Sequence, residues 1–596
     1  LNEKIVRIGG ASGAWGDSPM AIPQLLTAEV DYLMMDYLAE VTMSLLARAR
    51  MKDPAGGFPP DFIDYMKSNL KELVRRGIKV ATNAGGVNPA GCRDALDLIA
   101  KEFGLPLKVA IVEGDDVAPL LGGMRAADIR DAHSGREMPR EFLTANAYLG
   151  AIPIKAAFDE GADIVITGRC ADSALALGIL MHEFGWAEDD YDRLAAGSLV
   201  GHVLECGPQA TGGTHTDWAN VPGWENIGYP IAECRADGAF VLAKPENTGG
   251  LITPAVVAEQ VLYEIGDPSA YMLPDVTADF SAVRLEQEDA DRVRVSNARG
   301  RAPSTTYKVS ATYQEGYRAV ATISIVGPDA ALKAERTARA LVARARALFA
   351  ARGLPDFSET HVEALGAEAS YAQGSKARAT REVLLRLVVQ HESRQALDMF
   401  AKEVGSIGLS FSPGTTGIFG GRPKATPVIK LFTFHVRKTD MPQPQVTLDG
   451  ERKFIAIPAG RDVEIAPAPT GETMPPSSEP TAEVPLARLA YARSGDKGDS
   501  SNVAIIARRP EFLPLLRREV TAERMLGHFA GIVDGPAERF EAPGLSALNF
   551  LMQHALGGGG MASLRIDPQG KAFGQMALEM MIPVPRNWID QGLIKA

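Results

Sequence analysis

Five short apolar runs in the first 170 residues each break off into a polar, glycine-rich turn, and this repetition restricts the fold more than any other feature of the chain. They are Val6-Arg7-Ile8-Gly9-Gly10-Ala11-Ser12-Gly13, Tyr32-Leu33-Met34-Met35-Asp36, Lys79-Val80-Ala81-Thr82-Asn83-Ala84-Gly85-Gly86, Val109-Ala110-Ile111-Val112-Glu113-Gly114-Asp115-Asp116 and Ile164-Val165-Ile166-Thr167-Gly168-Arg169. Runs without polar alternation suit parallel strands whose two faces are both covered by helices. The segments between them have helical period. Ala39 to Arg50, Asp61 to Arg76 and Gly91 to Phe103 place apolar residues three or four apart and stop near basic residues or glycine. Ala147 to Glu160 and Ser173 to Phe184 continue the alternation, which predicts an α/β fold with an N-terminal parallel sheet and helices on both faces. Ligands of such sheets bind beyond the carboxyl ends of the strands, so all five polar turns are expected to face one crevice.

The chain has 596 residues, enough for about three to four domains. After Val200 the pattern loosens into turns and short strands until a helix at Pro254 to Ile265 closes a first domain, 1–270. Residues 271–465 read as a middle α+β domain. Alternating strands up to residue 326 are followed by helices at Pro328 to Arg352 and Gln395 to Val404, and by strands at Val383 to Gln390, Pro427 to Arg437 and Val463 to Ile465. Residues 466–484, rich in Pro, Ser, Thr and Glu, form a linker. Residues 485–596 then read as a small C-terminal ferredoxin-like α/β sandwich: strands at Leu486 to Ala492 and Asn502 to Ala507, helices at Glu511 to Arg518 and Leu545 to Ala555, and strands at Ala562 to Ile566 and Gln575 to Ile582.

A net charge of −12 argues against a nucleic-acid partner. The four cysteines form no CxxC pair, so neither a zinc site nor a disulfide framework is expected. No run of 18 or more apolar residues spans a membrane, and Leu1-Asn2-Glu3-Lys4 leads straight into a strand without a signal-peptide pattern. A cytoplasmic protein with free thiols is the expectation, with its natural start slightly upstream, since the first residue is not methionine.

Several turns carry chemistry. Glu113, Asp115 and Asp116 crowd three carboxylates at one strand end. They suit a general acid/base, a divalent cation such as Mg²⁺, or a plain helix cap. Arg169 and Asp172 follow a buried strand; Arg169 suits a substrate carboxylate or thioester oxygen, or simply an ion pair with Asp172. The loop Ser12-Gly13-Ala14-Trp15-Gly16-Asp17-Ser18 offers backbone amides to an anion but matches neither GxGxxG nor the Walker sequence. Asn83, Gly85 and Gly86 offer an amide side chain and two unhindered N–H groups to an enolate oxygen. Cys206, beside Glu205 and near His202 and His215, reads either as a nucleophile with a histidine base or as inert packing. No HExxH or His-x-His occurs, so a histidine-bound transition metal is not expected. In the last domain Lys497 lies in a Gly/Asp/Ser loop, and Gly557 to Gly560 form a four-glycine turn; close approach to a phosphate or to another domain's backbone accounts for both.

These stretches resemble the acyclic terpene utilisation protein A (AtuA) family: RIGGASGAWGDS, DYLMMDYLAEVTMSLLARARMKDP, TNAGGVNP, VEGDD, TGRCADSALALG with MHEFGW, GHVLECGPQATGG and KPENTGGLITPAVVAEQVLYEIGDP. The C-terminal part resembles its companion ferredoxin-fold domain through ARSGDKGDSSN and LGGGGMASLRID with GKAFGQ. The resemblance covers nearly the whole chain. It implies a role in degrading acyclic terpenes such as citronellol and geraniol through branched acyl-CoA esters, beside acyl-CoA carboxylases and enoyl-CoA hydratases. The implied step is lyase cleavage of a 3-hydroxy-3-isohexenylglutaryl-CoA-like ester to acetate and a shorter acyl-CoA. Two other roles stand beside it: a non-catalytic acyl-CoA-binding scaffold for the carboxylase and hydratase, and a thioester hydrolase. On the lyase reading the catalytic candidates are Asn83, Asp115, Asp116, Arg169, Glu205 and Cys206. The substrate-binding candidates are Ser12, Gly13, Trp15, Asp17, Gly85, Gly86, Asp172, Ser173, Gly212, Gly213, Lys497, Gly558 and Gly559. Coenzyme A enters as part of the substrate, with no other certain cofactor. A homo-oligomer is expected, with the C-terminal domain docked over the crevice as a lid or as the wall of a neighbouring subunit, and Lys497 and the Gly557 to Gly560 turn near the coenzyme A phosphates.

Overall fold

The computed structural model describes residues 4–462, 471–475, 480–560 and 562–594. The five apolar runs are five neighbouring parallel strands, Val6–Ser12, Tyr32–Met35, Lys79–Thr82, Ile164–Thr167 and Val109–Glu113 in spatial order. Their residues alternate between two cores. Tyr32, Met34, Ala81, Ala110, Val112 and Val165 face the helices Ile152–Asp159, Ala174–Phe184 and Tyr191–Leu204. Leu33, Met35, Val80, Ile111, Ile164 and Ile166 face Pro60–Arg76 and Pro89–Phe103. Burial on both sides is why the runs show no polar alternation. Pro60–Arg76 buries Phe62, Met66, Leu70 and Leu73, one stripe at helical spacing, and begins with proline where no intrahelical N–H is needed.

The sheet grows beyond this parallel centre to eleven strands. Phe240–Ala243 receives Arg292–Ser296 and then Arg284–Asp289 on one side, and Val109–Glu113 receives Gln445–Leu448 and then Glu451–Phe454 on the other, all antiparallel. In exchange, Thr144–Ala147 leaves the first sheet and pairs with the 21-residue strand Thr306–Val326 of the middle unit. The expected boundary at residue 270 therefore does not separate two sheets; each unit lends strands to the other. The second half of Thr306–Val326 pairs with Glu382–His391 and Thr415–Phe419 and is covered by the helices Ala330–Ala350 and Arg394–Val404.

The C-terminal unit is ferredoxin-like, an antiparallel four-stranded sheet with helices on its own core. Its elements differ from expectation in several places. Leu545 to Ala555, expected as a helix, contains the strand Ala547–Met552. Leu548, Phe550 and Met552 enter the unit's own core while Asn549 and Leu551 face the first unit, so burial on both faces erased the strand's alternation. Ala562 to Ile566 forms no strand among its described residues, and Gln575 to Ile582 divides between the helix Phe573–Ala577 and the strand Met581–Pro585. The helix Ala522–His528 and the strand Ala537–Ala542 went unread. The expected strand at 463–465 lies outside the described residues, as do 466–470 and 476–479 of the expected linker. Within the remainder of that linker, Thr481–Pro485 is a strand paired with Met581–Pro585. Among the described residues no helix is long and apolar enough to cross a membrane.

Candidate functional site

The carboxyl ends of the parallel strands deliver Asp36, Asn83 and Arg169 to one place. Asn83 fixes the first of these: its Nδ2 donates to Asp36 Oδ1 at 2.5 Å while its Oδ1 accepts the Tyr37 N–H at 2.8 Å. Ser12 supports the same turn, its hydroxyl donating to the Asp36 carbonyl at 3.1 Å. Arg169 is 4% exposed, pairs with Asp172 at 2.7 Å and stacks on the Tyr148 ring with its guanidinium carbon 4.2 Å from the ring centre. Tyr148 donates its hydroxyl to Glu40, which opens the helix Glu40–Lys52. Glu40 in turn lies 3.8 Å from Lys308, carried in by the long strand of the middle unit.

The helix Tyr191–Leu204 adds His202 and, just past its end, Glu205 and Cys206. His202 Nε2 faces the Val261 carbonyl at 3.2 Å and so carries a proton to donate. His202 Nδ1 stands 3.0 Å from Glu205 Oε1, and these two atoms consequently share a single proton. The Tyr271 ring packs 5.9 Å from the imidazole. Over Tyr271 stands Lys497 of the C-terminal unit, its Nζ 5.1 Å from the ring centre. Glu264 and Lys571, 2.9 Å apart, complete this wall with Asp496. Lys308 and Glu264 keep 43% and 37% of their side-chain surfaces accessible. The charges of Lys497, Lys308, Glu264, Glu205 and Glu40 act on one another, as do those of Asp36, Asp172, Glu205 and Arg169, so side chains of all three units surround one polar chamber.

Electrostatics divides the carboxylates of this chamber. Burial, reinforced by the charges of Asp172 and Glu205, pushes Asp36 well above the usual carboxylate range, against the pull of Arg169 and Asn83. Burial also raises Glu205, to about 7, against the pull of His202, with Asp172 and Glu264 adding to the rise. Burial opposes a charge on His202, but the adjacent Glu205 carboxylate prevails and raises its pKa. Burial likewise opposes ionisation of Glu40, but Lys308 and Arg169 overcome it and lower the pKa to about 2. Burial drives the Cys206 thiol well up, so it is not a thiolate at neutral pH. An acid, a proton-sharing pair and fixed cations thus occupy one chamber.

The other sequence candidates lie around or apart from it. Asp115 sits beneath Arg169: its Oδ2 accepts the Arg169 N–H at 2.9 Å and the Asn146 amide at 2.8 Å. Asp116 accepts the Ala118 N–H and, with Asp115, Glu113, Gly86 and Arg50, lines a cavity of about 510 Å³. Glu113 also accepts from the Gln445 amide at 3.4 Å, and all three carboxylates of that turn line this one cavity. Among the described residues no group of three or more His, Cys, Asp or Glu side chains is arranged to hold a metal ion. Gly13 lies against the Glu205-Cys206 backbone, where a Cβ would come within 2.8 Å of the Cys206 carbonyl carbon; only glycine lets the first loop pass there. Asp17 ties that loop to Tyr229 at 2.6 Å, and Trp15 packs on the neighbouring core. Gly85 lies against the Thr167 carbonyl, and Ser173 against Gly201. Gly212 packs on Val221 and Leu251, and Gly213 on Pro208. Gly558 donates its N–H to Asp499 at 2.6 Å, and Gly559 meets the backbone of Gly498, next to Lys497. Reading the sequence did not single out Asp36, Glu40, Tyr148, Glu264, Tyr271, Lys308 or Lys571 as site residues.

Asp115 has a measurable consequence for stability. Burial raises it from an ordinary 3.8 to about 6 despite two donors on its oxygen. It binds its proton more tightly folded than unfolded, so its contribution falls as pH rises from about 4 to about 6, by on the order of 3 kcal/mol. Asp115→Asn keeps an oxygen for both donors and loses that dependence. In urea unfolding, the stability of Asp115→Asn relative to wild type is expected to rise by on the order of 3 kcal/mol between pH 4 and pH 7; a constant offset between the two proteins would place Asp115 outside the titration.

An open sheet whose strand ends meet a cluster of acidic and basic side chains, capped by a ferredoxin-like unit, defines an α/β protein with a candidate site at the sheet's carboxyl edge. More narrowly, the chain belongs to the AtuA family, one implicated in acyclic terpene utilisation. Residues 6–447 match the acyclic terpene utilisation family protein AtuA, and residues 484–583 match the AtuA ferredoxin-like domain. No curated protein and no solved structure matches the chain.

Proposed function

We propose that the chamber cleaves a carbon–carbon bond in a branched 3-hydroxy acyl-CoA ester of acyclic terpene catabolism, a 3-hydroxy-3-isohexenylglutaryl-CoA-like substrate, giving acetate and a shorter 3-oxoacyl-CoA. The single proton shared by His202 and Glu205 carries this reading. The reaction returns as many protons as it takes. A base removes the tertiary hydroxyl proton, the bond to the carboxymethyl arm breaks, and its electron pair moves to the departing methylene as an enediolate. A proton added to that carbon gives acetate, and a ketone remains on the acyl-CoA. Glu205 with His202 fits the base, Asp36 with its raised proton affinity fits the acid, and Arg169 beside Tyr148 fits the carboxylate of the departing arm. Coenzyme A is part of the substrate, and no redox partner is needed for the balance.

Thioester hydrolysis through Cys206 is disfavoured by the thiol's raised pKa. Incubating the protein with candidate acyl-CoA esters and following free coenzyme A, acetate and shortened acyl-CoA by mass spectrometry tests the reading. Acetate and 3-oxoacyl-CoA in equal amounts are expected. Free coenzyme A alone would replace lyase with hydrolase, and binding without products would leave a scaffold.

A further inference from the structure

The cations of the chamber are not equivalent. Arg169 has Asp172 at 2.7 Å, Lys308 has Glu40 at 3.8 Å, and Lys571 has Glu264 at 2.9 Å and Asp496 at 3.5 Å. Among the described residues, Lys497 alone of the chamber lysines has no carboxylate within 4 Å. Its partner is the face of Tyr271, itself packed on His202. Aromatic faces attract cations only modestly, so an ammonium half withdrawn from water and lacking a counter-ion is poised for an anion brought from outside.

The surrounding backbone holds Lys497 at this point. It ends the strand Ala490–Lys497, and its hairpin turn is clasped on the other side by the four-glycine segment. Asp499 accepts the Gly558 N–H, while Gly559 lies so near Gly498 that a Cβ there would fall 2.1 Å from the Gly498 carbonyl oxygen. Buried hydrogen bonds fix the same sheet to the first unit: Asn502 donates to the Leu262 carbonyl at 2.9 Å, and Asn549 to those of Ile265 and Gly266 at 2.7 and 2.6 Å. The lysine is thus carried into the chamber on a rigid mount.

We propose that Lys497 is a ligand-binding residue of the chamber, pairing with a carboxylate-type oxygen of the bound molecule, and that the C-terminal unit is in this way part of the site. The proposal rests on the chamber being the ligand site and not on which bond is broken there. It differs from an ammonium reserved for the phosphates of coenzyme A, and the two predict opposite results with separated probes.

The free dicarboxylate 3-hydroxy-3-methylglutarate and coenzyme A itself serve as those probes, titrated calorimetrically into the full chain. Wild type is expected to bind the dicarboxylate, and Lys497→Met to bind it at least tenfold more weakly, the range for a charge-assisted hydrogen bond. Lys497→Arg should retain most of the affinity. Gly559→Ala, which keeps the ammonium and moves its mount, should also weaken the dicarboxylate. An unchanged melting temperature in Lys497→Met and Lys497→Arg excludes unfolding as the cause. Equal dicarboxylate affinity in wild type and Lys497→Met overturns the proposal, as does a wild type that does not bind it. Loss confined to coenzyme A overturns it too and assigns Lys497 to the phosphates. If the dicarboxylate binds through Lys497 while no ester is cleaved, the lyase reading fails and this one stands.

Discussion

Replacing Glu205 by glutamine is expected to lower kcat by about two to four orders of magnitude, the usual worth of a positioned acid/base group, with little change in folding. The amide keeps the shape of the carboxyl group but cannot exchange a proton with His202 Nδ1, 3.0 Å away. The pH profile gives a second reading of the same event. Glu205 titrates near 7, and its basic form is present above that value, so kcat/KM of the wild type should fall about tenfold for each pH unit below it. In Glu205→Gln that acid limb should vanish. A variant with wild-type turnover and an unchanged profile would remove Glu205 from the reaction.

A large loss of stability is expected from Asn549→Leu. Asn549 and Asn502 are fully buried, and together they meet three carbonyls and one N–H just beyond the helix Pro254–Val261, where backbone groups lack helical partners. Leucine has the heavy-atom count and branching of asparagine but is bulkier and leaves the Ile265 and Gly266 carbonyls and one Asn502 contact unmet. At about 1 to 3 kcal/mol for each of these three stranded groups, the cost is roughly 3 to 9 kcal/mol. Hydrogen exchange should locate it: faster exchange at Glu264 and along Ser500–Ala507, with Pro60–Arg76 unaffected. A uniform loss of protection would mean that the units do not open separately.

The parallel centre of the fold was legible because each of its strands is short, wholly apolar and closed by a turn, a pattern few other arrangements satisfy. The same logic misled at Leu545 to Ala555, where a strand sandwiched between its own core and the first unit loses its polar face. Within the site, Asn83, Arg169, Asp172 and Glu205 were legible as polar groups at strand or helix ends. His202 was noticed for Cys206, whereas its partner is Glu205, one helical turn on, a spacing the sequence displays. Asp36 ends the apolar run Tyr32-Leu33-Met34-Met35 and has no adjacent charged residue in the sequence to mark it. Lys308 and Tyr271 had no local signal either: a lysine in a strand and a tyrosine after a turn reach the chamber only through the docking of distant segments.

The exchange of strands between the first two units bears on how the chain matures during synthesis. Gln445–Leu448 pairs with Val109–Glu113 across more than three hundred residues, and Thr144–Ala147 waits for Thr306–Val326. The N-terminal sheet thus leaves the ribosome with one flank unpaired and keeps it so until most of the polypeptide has been made. A bare strand flank is a template for pairing with another nascent chain. The interval between translation of residue 113 and residue 448 is consequently the period in which this protein most needs chaperone protection.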